Sequence, residues 1–294
     1  MPVGSLCRVA HGPEASRAAE VIGFRNGRTL AMLLGDSVML RPGARVRPEG
    51  RPGLLPVGEA FLGRAVDGEG NPIDGGEPIH SQAHWPGGGI RSGALDRSGV
   101  REVFDTGVRT LNALTTFGVG QRIGIMAGSG VGKSVLLDMI ARGAEADIVV
   151  VGLIGERARE VSDFVERHMG KEKRERTAII AVPADHAPNL RLRGAMLATS
   201  LAEYFRHHDQ KVLLILDSLT RVAHAAREIG LLLREPGAAR GYPLRRGRPA
   251  RSQGDGLIAP ASNRSDKHGH HQLHRLQNVR HPVHPDDAGC GQRH

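Results

Sequence analysis

A chain of 294 residues has room for one large α/β domain with a sizeable core and a small second one. Its formal net charge is +9, but +5 of this lies in residues 244–294 and aromatic residues are only 3%, which excludes a nucleic-acid surface of basic groups interleaved with stacking rings as the leading expectation. Cys7 and Cys290 match no metal spacing and suggest a reducing, cytoplasmic setting; no charged-then-apolar leader is seen and the longest apolar run, Ile148–Ile154, is too short for a bilayer, so a soluble, non-exported protein is expected.

Residues 1–50 read as short strands, with Ala19–Phe24 and Arg28–Leu33 flanking Asn26-Gly27, a dipeptide favoured in two-residue hairpin turns. Pro42-Gly43 and Pro52-Gly53 punctuate the next stretch, and the Gly/Pro-rich run from Gly68 to Arg91 reads as connecting surface loop. From Thr106 the pattern changes. Apolar strands are expected at Ile123–Met126, Ile148–Ile154, Ala178–Val182 and Val212–Leu216, with amphipathic helices at Lys133–Arg142, Arg157–Met169 and Asn189–His207 between them. Apolar strands joined by helical crossovers predict an α/β fold, a mainly parallel sheet covered on both faces. From Leu244 on, only 12 of 51 residues are hydrophobic, and no helical or strand period is present. Its His268, His270, His271 and His274 lack a carboxylate or thiol at suitable spacing and are not read as a metal cluster.

One segment carries chemistry outright. Arg122–Leu137, RIGIMAGSGVGKSVLL, places a glycine-rich loop between a strand and a helix. Such a loop turns consecutive N–H groups inward around a polyphosphate at the positive end of the helix. Ala127, Gly128, Ser129, Gly130, Val131, Gly132, Lys133, Ser134 and Val135 are therefore the expected nucleotide-binding residues, with alanine replacing the first glycine of the pattern. Lys133 would reach the β- and γ-phosphates and the Ser134 hydroxyl would ligate Mg²⁺. ATP and Mg²⁺ are the expected ligands. Asp217 ends the apolar run KVLLILD, where a carboxylate reaches a metal at the strand's C-terminal edge; its alternative is to cap the helix starting near Leu219. Glu156 closes another strand, where it would polarise an attacking water or, equally, form a surface ion pair with Arg157 or Arg159.

The three segments 106–137, 149–164 (VVVGLIGERAREVSDF) and 212–231 (VLLILDSLTRVAHAAREIGL) resemble the bacterial flagellum-specific export ATPases, together with the type III secretion ATPases and the catalytic β subunit of rotary ATP synthases. The likeness extends back through PVGEAFLGRAVDGEGNPIDG at 56–75 to about residue 3, and PADHAPNLRLRGA at 183–195 is more similar to the flagellar branch than the virulence one. The resemblance implies a P-loop, RecA-like core behind a small β-barrel. It assigns Glu156 as the catalytic glutamate, Arg157 as a phosphate-contacting arginine, Lys133 and Ser134 as phosphate and Mg²⁺ residues, and Asp217 as the second-motif aspartate. Arg221, in DSLTR, is left between a subunit-boundary role and a simple carboxylate pair. The resemblance further implies a cytoplasmic homo-hexamer at the membrane-associated export apparatus. Its partners there would be export-gate components, a stalk and chaperone–substrate complexes, with any membrane association through those partners.

On that resemblance the chain divides into a partial N-terminal β-barrel at 1–55, a connecting segment at 56–105, an incomplete ATPase core at 106–243 and a basic, His-rich tail at 244–294. MPVGSLCRV enters partway into the barrel, so a leading strand is expected to be missing. The likeness stops near Arg240–Pro243, before the family's adenine pocket, arginine finger and helical C-terminal domain, and the tail reads like out-of-frame translation. Weak nucleotide binding and slow or no turnover are expected in consequence. The rival readings are a virulence secretion ATPase, a non-catalytic truncated fragment and an RNA-translocating ring, the last disfavoured because no aromatic single-strand platform is found at the N-terminus.

Overall fold

The structure, a computed structural model, describes residues 1–234 except 13–14, 36–37, 51–52, 82, 91–98, 129 and 170–173, together with the backbone of 257–260. Among the described residues the N-terminal strands are β1 (Leu6–Ala10), β2 (Ser16–Arg25), β3 (Arg28–Leu33) and β4 (Val46–Glu49), an antiparallel sheet of order β3-β2-β1-β4. Asn26 and Gly27 both have positive φ, the geometry of a type I′ hairpin, and set Arg25 opposite Arg28 as the dipeptide predicts. Cys7, Val9 and Ala19 point to one face and form its small core.

The chain then forms β5 (Leu54–Val57), β6 (Ala65–Val66) and β7 (Ala83–Pro86), the first and last paired antiparallel. The expectation of plain loop across 68–91 is thus corrected at β7. A two-stranded ribbon tolerates Pro86 at its end, and the segment is fixed by side chains rather than by apolar period. The Trp85 indole N–H donates to Glu203 at 3.0 Å. Asp74 accepts two bonds from Arg64, at 2.8 and 3.0 Å, and one each from the Ala65 and Gly76 N–H groups.

The remaining elements are α1 (Arg109–Leu114), β8 (Ile123–Gly124), α2 (Lys133–Gly143), β9 (Ile148–Ile154), α3 (Ala158–Met169), β10 (Thr177–Val182), α4 (Pro188–His207), β11 (Val212–Asp217), α5 (Leu219–Leu232) and β12 (Leu257–Pro260). Their sheet has the order β6-β10-β9-β11-β12-β8. The β6, β10, β9 and β11 pairings are parallel, while β12 is antiparallel to both neighbours, so β8 runs in the direction of β11.

Why the central strands are apolar throughout is visible in which cluster each residue joins. Ile148, Val150 and Ile154 of β9 pack with α4 and α5, through Leu197, Ala198, Leu201, Leu219 and Val222. Val149, Val151 and Leu153 pack on the opposite face against Leu137 and Ile140 of α2 and Val161 and Phe164 of α3. A period-two strand with helices on both sides has no polar face to offer.

Two boundaries differ from expectation. The strand expected over Ile123–Met126 is only Ile123–Gly124, because its pairing to β12 stops there, and Met126 is largely exposed. Within the span set apart at 244–294, the described residues are Leu257–Pro260, and they form β12; the histidines of the tail and Cys290 lie outside the described residues.

The Arg64 guanidinium and two backbone N–H groups hold the Asp74 carboxyl well below the usual carboxylate range. Because the folded state disfavours protonating it, this contribution is present at neutral pH and lost only on strong acidification. Asp74→Asn is expected to cost about 2 kcal/mol at neutral pH in urea denaturation, and less as the medium is acidified.

Candidate functional site

In a parallel sheet the C-terminal ends of the strands share one edge, and here that edge gathers the predicted residues. β8 leads into the glycine-rich loop, β9 into Gly155-Glu156, β10 into residues 183–187, and β11 ends in Asp217.

The loop's geometry is that of an anion cradle. Gly130 and Gly132 have φ of +79° and +95°, a region L side chains rarely adopt, and Gly132 caps α2. Among the described residues no side chain caps that helix terminus, and a Cβ added at Gly128, Gly130 or Gly132 would meet nothing within 4 Å. The positive end of the α2 dipole and its first-turn N–H groups lie beside this open loop. Ala127, Val131, Ser134 and Val135 are exposed around the same cradle; Ser129 lies outside the described residues.

Across the edge, Lys133 forms an ion pair with Asp217. Asp217 is only 5% exposed, so this ammonium is what offsets its burial. The capping alternative for Asp217 is not what the fold uses: the residue at that position of α5 is Ser218, and its side chain makes no cap bond.

Glu156 is half-buried beside this pair. Burial first, and then the Asp217 charge, push its carboxyl above the usual range, opposed by Lys133 and Arg221. The charges acting on it are these, with Glu160, rather than Arg157 or Arg159. Its backbone carbonyl accepts from the Ala184 N–H at 3.0 Å. Arg157, directly before α3, is exposed. Arg221 lies on the first turn of α5 with its aliphatic stem over Gly155: a Cβ there would sit 2.6 Å from the Arg221 Cβ and 2.9 Å from its Cγ.

The arrangement fits a magnesium–polyphosphate. A hydroxyl (Ser134), one buried carboxylate (Asp217) and an open ring of N–H groups are what Mg²⁺ needs when phosphate oxygens and water fill its remaining positions. Among the described residues no cluster of three or more His, Cys, Asp or Glu offers an all-protein metal site instead.

The motifs did not single out Arg191, Glu228 or the 183–187 loop as parts of this edge, although PADHAPNLRLRGA was already marked by its likeness. Gly155 has φ +75° as well as no room for a Cβ. Gly155→Ala is expected to cost about 1–3 kcal/mol in chemical denaturation, because strain and the Arg221 clash add.

Residues 107–246 match the ATP synthase alpha/beta family, nucleotide-binding domain. The chain is 46% identical to the flagellum-specific ATP synthase of Pseudomonas aeruginosa over 82% of its own length and 54% of that protein's. To that of Salmonella typhimurium it is 47% identical, over 83% and 56%. Among solved structures it is similar to the assembled ATPase EscN from the enteropathogenic E. coli type III secretion system, with a TM-score of 0.74 and 36% identity over 83% of this chain and 58% of that one. A second structure has EscN in complex with its central stalk EscO, again at TM-score 0.74. The chain spans a little over half the length of the curated relatives it matches. The chain is thus similar over most of its own length to the flagellum-specific ATP synthases, and its residues 107–246 match the nucleotide-binding domain of the ATP synthase alpha/beta family.

Proposed function

We propose that this chain binds Mg·ATP at the C-terminal edge of its parallel sheet and belongs to an ATPase that drives protein export in the assembly of the bacterial flagellum. The observation that carries the reading is the Lys133–Asp217 pair beside the open glycine loop. An ammonium held on a carboxylate in this way is poised to exchange that partner for phosphate oxygens.

In this reading the N–H groups of residues 128–134 hold the phosphates, and Lys133 moves onto the β- and γ-phosphates. Ser134 and Asp217 would hold Mg²⁺, which neutralises phosphate charge when bound. Glu156, its proton affinity raised by burial and by Asp217, orients the attacking water and accepts its proton. Arg157 is assigned to phosphate contact. Arg221 lowers the proton affinity of Glu156 through its charge alone, with no ion pair between the two among the described residues, and its role stays between carboxylate pairing and a subunit boundary.

The relatives named flagellum-specific, at 46–47% identity, favour the flagellar branch over a virulence one. EscN, solved in an assembled form and with a stalk protein, supports a homo-hexameric ring and a stalk partner for the complete protein. Export-gate components and chaperone–substrate complexes are proposed from the same kinship. A cytoplasmic place at the export apparatus, held to the membrane through its partners, is proposed from the same kinship; no helix among the described residues is long and apolar enough to cross a membrane.

The test is titration with a fluorescent ATP analogue in the presence and absence of Mg²⁺. Wild type should bind in a Mg²⁺-dependent way, Lys133→Ala should weaken binding at least about tenfold, and Asp217→Asn should remove the Mg²⁺ dependence. Equal binding by wild type and Lys133→Ala would overturn the reading.

A further inference from the structure

The motifs account for the groups that face the nucleotide but not for what holds Glu156 among them. Its position follows from two backbone bonds to the end of β10 and the loop after it. The Gly155 N–H donates to the Val182 carbonyl at 2.7 Å, and the Ala184 N–H donates to the Glu156 carbonyl at 3.0 Å. In that loop, residues 183–187, Ala184 and Asp185 are exposed and the other three half-buried, with none fully buried, and the main-chain bond within it is a long one, His186 N–H to Pro183 carbonyl at 3.2 Å. Left to itself such a segment would open readily.

One side chain ties it down. Arg191, on the first turn of α4 and only 7% exposed, donates from Nε to the His186 carbonyl at 3.2 Å and from Nη2 to Glu228 of α5 at 2.7 Å. Its own N–H bonds the Ala187 carbonyl at 3.1 Å. The guanidinium thus joins the loop after β10 to the helix that begins with the Asp217–Ser218 corner and places Arg221 over Gly155. Glu156 is gripped from the loop side and from the α5 side, and Arg191–Glu228 closes the frame between them.

We propose that Arg191, with Glu228, is a positioning residue: it fixes the 183–187 loop and through it the backbone of Glu156, without touching the nucleotide. The planar fork matters, because one arm must reach a carbonyl while another holds a carboxylate, a pairing an ammonium does not reproduce. The link from clamp to hydrolysis rests on the role proposed above for Glu156.

The experiment is hydrogen exchange, read by mass spectrometry on the whole chain without nucleotide, for wild type, Arg191→Lys, Arg191→Met and Glu228→Gln. Peptides covering 183–187 are expected to exchange at least about tenfold faster in both Arg191 variants, with 148–154 and 195–202 unchanged. Glu228→Gln, which keeps the carbonyl arm, should give a smaller rise. A plain staple between α4 and α5 predicts instead that Lys restores protection, since charge and length survive. Restoration by Lys, no change at 183–187, or a uniform rise over all peptides would each overturn the proposal. Failure of wild type to bind the ATP analogue would remove the nucleotide reading while leaving this comparison to decide the clamp.

Discussion

A carboxylate at the end of an all-apolar strand sets the terms for this molecule. Asp217 follows five residues that serve the core, and it is buried to 5% exposure where the sheet stops. Leaving that charge unpaired would cost several kcal/mol, so the edge must supply a cation, and it supplies Lys133 from the start of the neighbouring helix. Everything else at the edge is arranged around this pair. The glycine loop has to bring Lys133 in, Glu156 sits close enough to have its carboxyl raised by Asp217, and Arg221 comes back from the turn that follows Asp217.

The pair also reconciles a buried carboxylate with the proposed nucleotide site. The carboxylate is offset by an ammonium on a flexible stem, which in the proposed function exchanges it for phosphate oxygens. The open space above Gly128, Gly130 and Gly132 leaves room for those oxygens, and the uncapped N-terminus of α2 gives them donors. The core beneath is packed on both sides: the faces of β9, β10 and β11 are filled, one by α4 and α5, the other by α2 and α3.

Much of this was legible in the residues themselves. β9 was readable to both ends because its apolar run stops abruptly at Gly155, and the β2–β3 hairpin because Asn26-Gly27 admits few other conformations. The loop, Lys133 and Asp217 were singled out by a strand–loop–helix pattern and an apolar run ending in an acid. Spacing left Glu156 between two readings and only the family likeness assigned it; the fold brings all of them to one edge. β7 was not, since Ala83–Pro86 has no period and is held by pairing to β5 and by the Trp85–Glu203 bond far along the chain. β8 read as longer than it is because strand length depends on a partner, and its pairing to β12 spans only Ile123 and Gly124. Arg191 was invisible for a related reason: on α4 it looks like any helix arginine, and only the fold brings it to the His186 carbonyl and Glu228.

The most direct test of the account is an experimental structure of the chain with Mg²⁺ and a non-hydrolysable ATP analogue. The account predicts that the phosphates occupy the loop of residues 127–134 and that Lys133 Nζ leaves Asp217 for their oxygens, with Asp217 turned to the metal. A structure in which Lys133 stays on Asp217 while the analogue's phosphates lie elsewhere would contradict it.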